Sequence, residues 1–382
     1  MPRSRRVWES RVRIALDLTL HVPNAGGISR VIRELLSFFS NQPQHTFFAF
    51  VRDPIPPEFP RTDGIEYLPL PIRSPEARVV WLLTQAAGAA ERHALDVWFS
   101  PNLYVPLRLR IPSVLTIADL AFAEVPDRYS TVRRLVYELL VRRADRATRV
   151  VVYTAAIKSE LERMYHLDPA RIDVTPLAAR SDFKPAAPIP RSLRAANLVC
   201  SVGSSSRKNG EVAVQAFDRL APRFGGLELM LYHAGRLHRE AVEAIRRSRY
   251  RRRIHDLGYV ADADLQELVR TATAFVYPSL AEGFGLPILE AMSLGTPVVC
   301  SSLPVHLEVV GDGNALMFPA GRADELAATI EQVITDEVVW QRLADRGLAR
   351  ARSFSWSACG EATLQSIVRA ASERPISRSA DV

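Results

Sequence analysis

Cysteine is scarce in this 382-residue chain, with only Cys200, Cys300 and Cys359, which lie far apart. Two of the three end apolar runs, so we expect buried thiols in a protein kept in a reducing compartment. The spacing excludes a disulfide framework and a cysteine-based metal site.

Long hydrophobic runs are also missing. No window approaches the ~18 apolar residues that a membrane-spanning helix needs, and no hydrophobic signal region follows the basic start, Met-Pro-Arg-Ser-Arg-Arg. We therefore expect a cytoplasmic protein, with any membrane contact peripheral and on the inner face of the cell membrane.

Several ligand-binding motifs are absent as well. The glycines form neither a Walker sequence nor G-x-G-x-x-G, so ATP and NAD lose support as ligands. Zinc-finger spacing and an RNP-type aromatic strand are also lacking, and we expect no nucleic-acid partner.

What the chain does have is positive charge, +7 in formal terms with a pI near 9.6. Arginines cluster at 133–134, 142–149 and 246–253. A solvated helix face is the simplest interpretation of each cluster. Beyond that, the excess of basic residues favours an anionic membrane surface or a lipid diphosphate as a binding partner.

Length and periodicity indicate two α/β domains. Strand–helix alternation occurs on both sides of a proline-rich linker near residues 182–190. It predicts two parallel-sheet domains with a cleft between them, at 1–185 and 191–352, followed by a helical tail at 353–382. Helices are predicted at about Ile28–Phe39, Ala77–Glu91 and Tyr129–Arg146.

The most informative segment is Glu282-Gly-Phe-Gly-Leu-Pro-Ile-Leu-Glu290, between two apolar strands. A strand–glycine loop–helix unit puts the loop at the carboxyl edge of a parallel sheet, where ligands bind. Gly283 and Gly285 would let a phosphate approach the helix N-terminus, where backbone N–H groups are unpaired. Glu282 and Glu290 could then accept hydrogen bonds from hydroxyls, unless Glu282 only caps the helix and Glu290 is solvated. The ligand implied is a sugar nucleotide.

Two cations, Arg207 and Lys208, lie between another predicted strand and the next helix. They would supply the charge that a diphosphate leaving group needs without a metal, although surface charges remain the alternative. Asp119 ends a strand, where it either joins the site or caps the next turn. The Gly26-Gly27 pair, after the first strand, is a weaker candidate for close approach to a ligand.

Taken together, these motifs resemble the family 4 retaining glycosyltransferases of the GT-B fold, a group that includes bacterial mannosyltransferases of surface-polysaccharide assembly. The match covers most of the chain. Its most specific parts are Pro278–Met292 and Gly295-Thr-Pro-Val-Val299, supported by Arg207-Lys-Asn209, Gly258-Tyr-Val260 and Phe354-Ser-Trp356.

The resemblance implies two Rossmann-like domains, with the acceptor held by the first, the nucleotide by the second, and the last helix returning to the first. It implies that Glu290 binds the ribose and that Arg207 and Lys208 bind the diphosphate. Glu282 would hold the donor sugar, assisted by the backbone of Gly283, Phe284, Gly285 and Leu286, and Gly26 and Gly27 would line the donor side of the cleft. The expected reaction is metal-independent hexosyl transfer with retention, without a cofactor, to a glycan or lipid-linked saccharide. The first choice of donor is GDP-mannose and the second is a UDP-sugar.

One departure from the family pattern stands beside Asp119. The family usually has His-Asp where this chain has Ala118-Asp119. The missing histidine motivates one alternative to an active transferase, a catalytically weak or inactive, sugar-nucleotide-binding partner of another transferase. A separate alternative is a sugar-nucleotide epimerase on the same scaffold.

Overall fold

The computed structural model describes residues 11–21, 26–106, 108–183 and 189–373. The chain divides into two compact units. The first comprises Met1–Ala118, Leu135–Leu177 and Trp356–Val382, and the second comprises Asp119–Arg134 and Ala178–Ser355. Each unit contains one parallel sheet, so the predicted α/β class is confirmed. Within the described ranges, no helix is both long enough and apolar enough to cross a bilayer.

The first unit is built on seven parallel strands in the order β3-β2-β1-β4-β5-β6-β7. These strands are β1 Arg13–Asp17, β2 Thr46–Arg52, β3 Ile65–Leu70, β4 Val97–Ser100, β5 Ser113–Ile117, β6 Arg149–Val152 and β7 Ile172–Val174. β1 pairs with β2 on one side, where Ala15 lies opposite Phe48, and with β4 on the other, where Ala15 lies opposite Trp98. Buried aromatic residues fill one face, where the rings of Phe50 and Trp98 stack at 5.2 Å.

The second unit is built on six parallel strands in the order β10-β9-β8-β11-β12-β13. They are β8 Ala195–Ser201, β9 Glu228–Tyr232, β10 Ile254–Gly258, β11 Ala272–Tyr277, β12 Val298–Ser301 and β13 Leu316–Phe318. Central strands of such a sheet are covered on both faces, which explains their continuous apolar sequences. Beneath them Trp340 is buried, and its Nε1–H donates to the Thr273 carbonyl at 2.8 Å.

Fourteen helices connect and cover the strands within the described residues. They are α1 Gly26–Phe39, α2 Pro75–Thr84, α3 Ala86–Arg92, α4 Ala121–Glu124, α5 Thr131–Arg142, α6 Ala155–Tyr165, α7 Gly210–Leu220, α8 Arg239–Arg247, α9 Asp262–Thr271, α10 Leu286–Ser293, α11 Pro304–Val310, α12 Ala323–Thr335, α13 Glu337–Ala351 and α14 Trp356–Ser372.

Three helix boundaries differ from the sequence predictions. The helix predicted at 77–91 is two helices, α2 and α3, which separate at Gln85. The helix predicted to reach Arg146 ends as an α-helix at Arg142 and finishes in a 3-10 turn. α1 begins at Gly26 instead of Ile28, so its first two residues are glycines.

The last helix, α14, lies in the first unit, where it packs on α1 and on strands β4 to β7. It lies against α1 at Gly360, where an added Cβ would be 2.3 Å from Cγ of Phe38. Any larger residue would therefore collide with a ring on α1. Next to it, the Cys359 thiol is buried 3.8 Å from the Thr175 carbonyl, and burial raises its pKa to about 12. All three cysteines are buried and free, as predicted.

The segment 119–134 belongs to the second unit, whereas the sequence assigned it to the first domain. Ion pairs account for its position. Arg128 pairs with Glu240 of α8 and lies 3.8 Å from Glu211 of α7. The linker predicted at 182–190 lies largely outside the described residues.

Candidate functional site

Loops that follow β8 and β11 meet at one edge of the second sheet. These strands are hydrogen-bonded neighbours, yet from β8 the chain first builds β9 and β10 on one side and then returns to β11 on the other. Such a reversal of strand order opens a crevice at the carboxyl ends of the strands, where open α/β sheets bind ligands. Arg207 and Lys208 follow β8, and Glu282 follows β11.

Hydrogen bonds to backbone carbonyls hold the two loops together. The Leu280 N–H donates to the Arg207 carbonyl at 2.7 Å, and the Arg207 Nη1–H donates to the Ala281 carbonyl at 2.7 Å. Asn209 adopts a left-handed conformation, with φ of 54°, and its Nδ2–H donates to the Pro278 carbonyl at 3.2 Å. Asparagine tolerates this conformation better than most residues, which explains its place at the turn into α7.

The carboxylate of Glu282 is the centre of the site. Its Oε1 accepts hydrogen bonds from Lys208 Nζ at 2.6 Å and from the Tyr277 hydroxyl at 2.9 Å. Its Oε2 lies 3.0 Å from Nη1 of Arg207. Lys208 Nζ also donates to the Tyr277 hydroxyl at 2.6 Å. Glu282 is thus not a simple helix cap, because it organises two cations and a phenol in one buried network.

Burial and charge act against each other in this network. Burial alone would raise the pKa of Glu282, but the charges of Lys208 and Arg207 outweigh it and hold the pKa far below its usual value. The charge of Glu282 raises the pKa of Arg207, whereas burial lowers that of Lys208 despite the neighbouring carboxylate. Burial also raises the pKa of Tyr277 well above its usual value. The carboxylate is therefore ionised, and the phenol keeps its proton.

Asp119 adds a second acidic group at the edge of the cluster. Its Oδ2 is 3.7 Å from Nη2 of Arg207, and its Oδ1 accepts a hydrogen bond from the Ala121 N–H at 3.2 Å. Asp119 therefore caps the next turn and also lies beside Arg207. With Asp119 included, two acidic and two basic side chains balance.

Helix α10 begins at Leu286, shortly after Glu282 in the sequence. Gly285 precedes its first turn with φ of 96°, a left-handed conformation that strongly favours glycine. Pro287 lacks an N–H, and the Ile288 N–H donates to the Gly285 carbonyl at 2.9 Å. The first three residues of this described helix are Leu286, Pro287 and Ile288. Of these, Leu286 therefore has the N–H group that can face an anion.

The remaining predicted residues of the motif are buried. Glu290 is only 4% exposed on α10, so it does not lie on a solvated helix face. Gly283 and Phe284 are buried as well, and the Phe284 ring meets Phe354 edge-on at 6.0 Å. Gly26 and Gly27 lie in the first unit, in the first turn of α1 rather than in a loop.

Two polar side chains of the site escaped the sequence analysis. Tyr277 could have been found, because it ends the strand directly before Pro278, at the same sheet edge as Glu282. His306 gave no sequence signal. It is fully buried on α11, its Nδ1–H donates to the Ser301 carbonyl at 2.9 Å, and its ring centroid is 5.4 Å from that of Tyr277. Burial lowers its pKa, so the ring is neutral and Nε2 carries a lone pair.

Sequence comparisons agree with this geometry. The profile described as Glycosyltransferase Family 4 matches residues 25–180, and that described as Glycosyl transferases group 1 matches residues 196–336. The chain is 35% identical over 281 residues to O-antigen chain mannosyltransferase B of Escherichia coli, an alignment that covers 70% of this chain and 73% of that protein. The chain belongs to glycosyltransferase family 4. It is therefore an enzyme that transfers a sugar.

Solved structures confirm the GT-B fold of this glycosyltransferase. Sucrose-phosphate synthase from Thermosynechococcus elongatus superimposes with a TM-score of 0.75 at 20% identity, covering 93% of this chain and 98% of that one. HepE from Anabaena in complex with UDP-glucose superimposes with a TM-score of 0.73 at 17% identity, covering 94% of this chain and 100% of that one.

Proposed function

We propose that this glycosyltransferase moves mannose from GDP-mannose to a glycan or lipid-linked saccharide, with retention at the anomeric carbon and without a metal ion or other cofactor. The observation that carries the proposal is the network of Arg207, Lys208 and Glu282 in front of α10. The choice of mannose rests on the similarity to O-antigen chain mannosyltransferase B.

The donor capacity of the two cations suits a diphosphate. An ammonium has three N–H donors, and Lys208 uses two of them on Tyr277 and Glu282. A guanidinium has five, and Arg207 places Nη1 against Ala281 and Glu282, with Nη2 only loosely paired at 3.7 Å from Asp119. Both side chains therefore keep donors for phosphate oxygens. A bound diphosphate would replace Asp119 as the partner of Nη2.

Two glutamates would hold the sugars of the donor. Each carboxylate oxygen has two lone pairs. On Glu282, Oε1 already accepts from Lys208 and Tyr277, and Oε2 lies against Arg207. One acceptor position on Oε2 is therefore left for a hydroxyl of the donor sugar. Glu290, buried on the same helix, would accept the ribose hydroxyls. The N–H of Leu286 and the positive end of α10 would face the phosphate between them.

Such an arrangement favours charge stabilisation of the leaving group. As the glycosidic bond breaks, negative charge grows on the diphosphate, where Arg207 and Lys208 are already held in place. The departing phosphate oxygen would take the proton of the acceptor hydroxyl on the same face of the sugar. Attack from that face retains the anomeric configuration.

The proposal is tested by a thermal-shift screen of GDP, UDP and their mannose and glucose conjugates, with and without a chelator. We expect GDP-mannose to stabilise the protein most and the chelator to change nothing. An anomeric NMR assignment of the product tests retention. Stabilisation by UDP-sugars alone would overturn the choice of GDP-mannose as donor. A requirement for a metal would overturn metal independence, and an inverted product would overturn retention.

Glu290→Gln supplies a residue-level test. The loss of charged hydrogen bonds to the ribose should weaken donor binding by about 1–3 kcal/mol. Glu325→Gln is a matched control, because Glu325 is an exposed glutamate on α12 of the same unit. Equal donor affinity in the two variants, measured by calorimetry, would remove Glu290 from the ribose site.

A non-catalytic sugar-nucleotide-binding protein is the second candidate, and one observation favours it. Ala118 contributes only a methyl group directly before Asp119, which contacts Arg207. If the protein only binds its donor, no acceptor in a broad panel will be glycosylated and Ala118→His will not create turnover. Product formed from the donor alone would instead identify an epimerase.

A further inference from the structure

A cavity of about 500 Å³ lies in the second unit, at the edge of the sheet opposite to Glu282. It borders the first residues of β8, β9 and β11, which are neighbouring parallel strands, so it lies at the amino ends of those strands. β8 has seven residues, which separates the two edges by about 20 Å. The cavity is large enough for a small molecule. Among the residues that line it are Arg191, Arg194, Phe224, Leu227, Thr273 and Ile334.

The Arg194 guanidinium is bonded to neutral acceptors. It donates at 3.0–3.3 Å to the carbonyls of Ile189, Ala272 and Gly295 and to Oγ1 of Thr296. Its Cζ lies 4.7 Å from the centre of the Trp340 ring. Four of its five N–H groups are thereby used, and one on Nη2 remains. Within the described ranges, no carboxylate pairs with this side chain.

The positive charge of Arg194 is therefore not balanced by its surroundings. Partial burial lowers the pKa of its guanidinium to about 10, and the charge of Arg270 acts in the same direction. By contrast, the buried arginines of the described chain each pair with an aspartate; they are Arg78, Arg149 and Arg180. Neutral oxygens satisfy the N–H groups of Arg194 but leave its charge, which a bound anion would compensate.

A second guanidinium, Arg191, lines the same cavity. Its Nη2–H donates to the Ile334 carbonyl in the last turn of α12. Its Nη1 lies 3.8 Å from Oε2 of Glu337, whose side chain is 76% exposed. An ion pair this long and this exposed is weak. Arg191 therefore keeps donors that an anion in the cavity would use.

One wall of the cavity is apolar and firmly held. Phe224 and Leu227 belong to the loop between α7 and β9. Arg253 fixes this loop, because its Nη1–H groups donate to the carbonyls of Phe224 and Gly225 at 2.8 Å and its Nη2–H donates to that of Ala221 at 2.7 Å. Two cations thus lie in the same cavity as a fixed apolar surface, an arrangement suited to a ligand that is anionic at one end.

We propose that this cavity binds a small organic phosphate, with the phosphate on Arg191 and Arg194 and the organic body against Phe224 and Leu227. A phosphate monoester carries nearly two negative charges at neutral pH, which matches two guanidinium groups. Arginine also suits phosphate geometrically, because its planar group donates two parallel hydrogen bonds. The site is separate from the crevice at Glu282, so failure of the proposed transfer reaction would leave the inference standing.

Calorimetric titration of the full-length protein with phenyl phosphate tests the site. Phenol, which lacks the phosphate, and inorganic phosphate, which lacks the ring, should both bind more weakly. Arg191→Gln should weaken binding of phenyl phosphate about tenfold or more, because charged hydrogen bonds are lost. Arg342→Gln is the matched control, since Arg342 is an exposed arginine on α13 of the same unit, and it should bind as the unchanged protein does. Equal binding of phenol, or an equal loss in the control, would overturn the proposal.

The crevice at Glu282 also contains cations, so the position of the probe needs a measurement of its own. Ser192 lines the cavity, whereas Arg236 lies shortly after β9 on the carboxyl side of the sheet, and both are exposed. Ser192→Cys and Arg236→Cys can each carry a trifluoromethyl label for fluorine NMR, since the native cysteines are buried.

The resonance at position 192 should shift as phenyl phosphate is added, and Arg191→Gln should remove that shift. No shift at 192, or one that survives Arg191→Gln, would overturn the proposal. A shift confined to position 236 would do so as well, because the phosphate would then bind in the crevice.

Discussion

Replacing Glu282 with glutamine should destabilise the second unit, because it leaves two buried cations without their common counter-ion. The side chains of Glu282, Arg207 and Lys208 are 8%, 18% and 19% exposed, so water screens little of the interaction. The glutamine amide also places N–H donors against the N–H donors of Arg207 and Lys208. The hydrogen bond that the Tyr277 hydroxyl donates to residue 282 is weakened as well.

The size of the effect follows from the fate of the two cations. Removing one partner of a buried ion pair costs about 3–5 kcal/mol. Arg207 cannot lose its proton, but Lys208 can, since burial has already lowered its pKa. Deprotonation of Lys208 therefore limits the loss to that range. For a unit of this size it corresponds to roughly 6–20 °C in melting temperature.

The pH dependence identifies the cause. The pKa of Glu282 is lower in the folded protein than its ordinary value of 4.5, so its ionisation stabilises the fold at pH values above 4.5. That contribution is lost as the pH falls from 4.5 toward the folded-state pKa. The difference in unfolding free energy between the unchanged protein and Glu282→Gln should therefore narrow below pH 4.5. It should also decrease as the pH rises from 6 to 8, because Lys208 is neutral in the folded variant but still protonated in the unfolded chain.

Urea denaturation at a series of pH values, followed by tryptophan fluorescence, measures this difference. Glu325→Gln, which changes an exposed glutamate, should leave the midpoint nearly unchanged. A difference below about 1 kcal/mol at pH 7 would match an exposed ion pair and refute the counter-ion role. A difference that stays constant below pH 4.5 would refute the electrostatic cause.

Two glycine substitutions test packing in the two units. Gly285→Ala should destabilise the second unit by about 1–3 kcal/mol and weaken donor binding, because its φ is 96° and the new Cβ would lie 3.3 Å from Cδ2 of His306. Gly225→Ala, with open space around it, is the control, and equal urea midpoints for the two would contradict the strain at Gly285. Gly360→Ala should destabilise the first unit by about 1–3 kcal/mol or more, because its Cβ would overlap the Phe38 ring. An unchanged thermal transition of that unit would contradict this and show that α14 can move away from α1.

Much of the site could be predicted because its motif is local. The strand, glycine loop and helix around 282–290 follow each other directly, and their order alone places Glu282 at the carboxyl edge of a parallel sheet. The left-handed φ of 96° at Gly285 was not predicted from the sequence. Phosphate and ribose binding by these residues remain predictions.

Contacts between distant segments could not be predicted. The network of Arg207 with Glu282 exists because β8 and β11 are neighbours, and strand order is not readable from one sequence. Sequence reasoning therefore treated the cations as ligands of a diphosphate and the carboxylate as a ligand of a sugar, and missed that they are bound to each other. His306 reaches Tyr277 from α11 in the same way, through tertiary packing.

Helix boundaries failed where local signals were weak. Gln85 separates α2 from α3 without a glycine or a proline to mark the break. Gly26 and Gly27 have low helix propensity, yet α1 begins there. The short strand β7, Ile172–Val174, was missed because three residues carry little periodicity, and its pairing with β6 decides its conformation.

Placement of α14 in the first unit has a consequence for how the protein is made. The buried side of this helix, including Leu364, Ile367 and Val368, covers α1 and strands β4 to β7, but it is encoded after the whole second unit. During synthesis the apolar surface of the first sheet therefore stays uncovered until α14 is made. Residues 178–355 are synthesised before that helix and can fold earlier. Nascent chains halted before Trp356 should accordingly bind chaperones through the first unit, the part of the protein that is synthesised first and completed last.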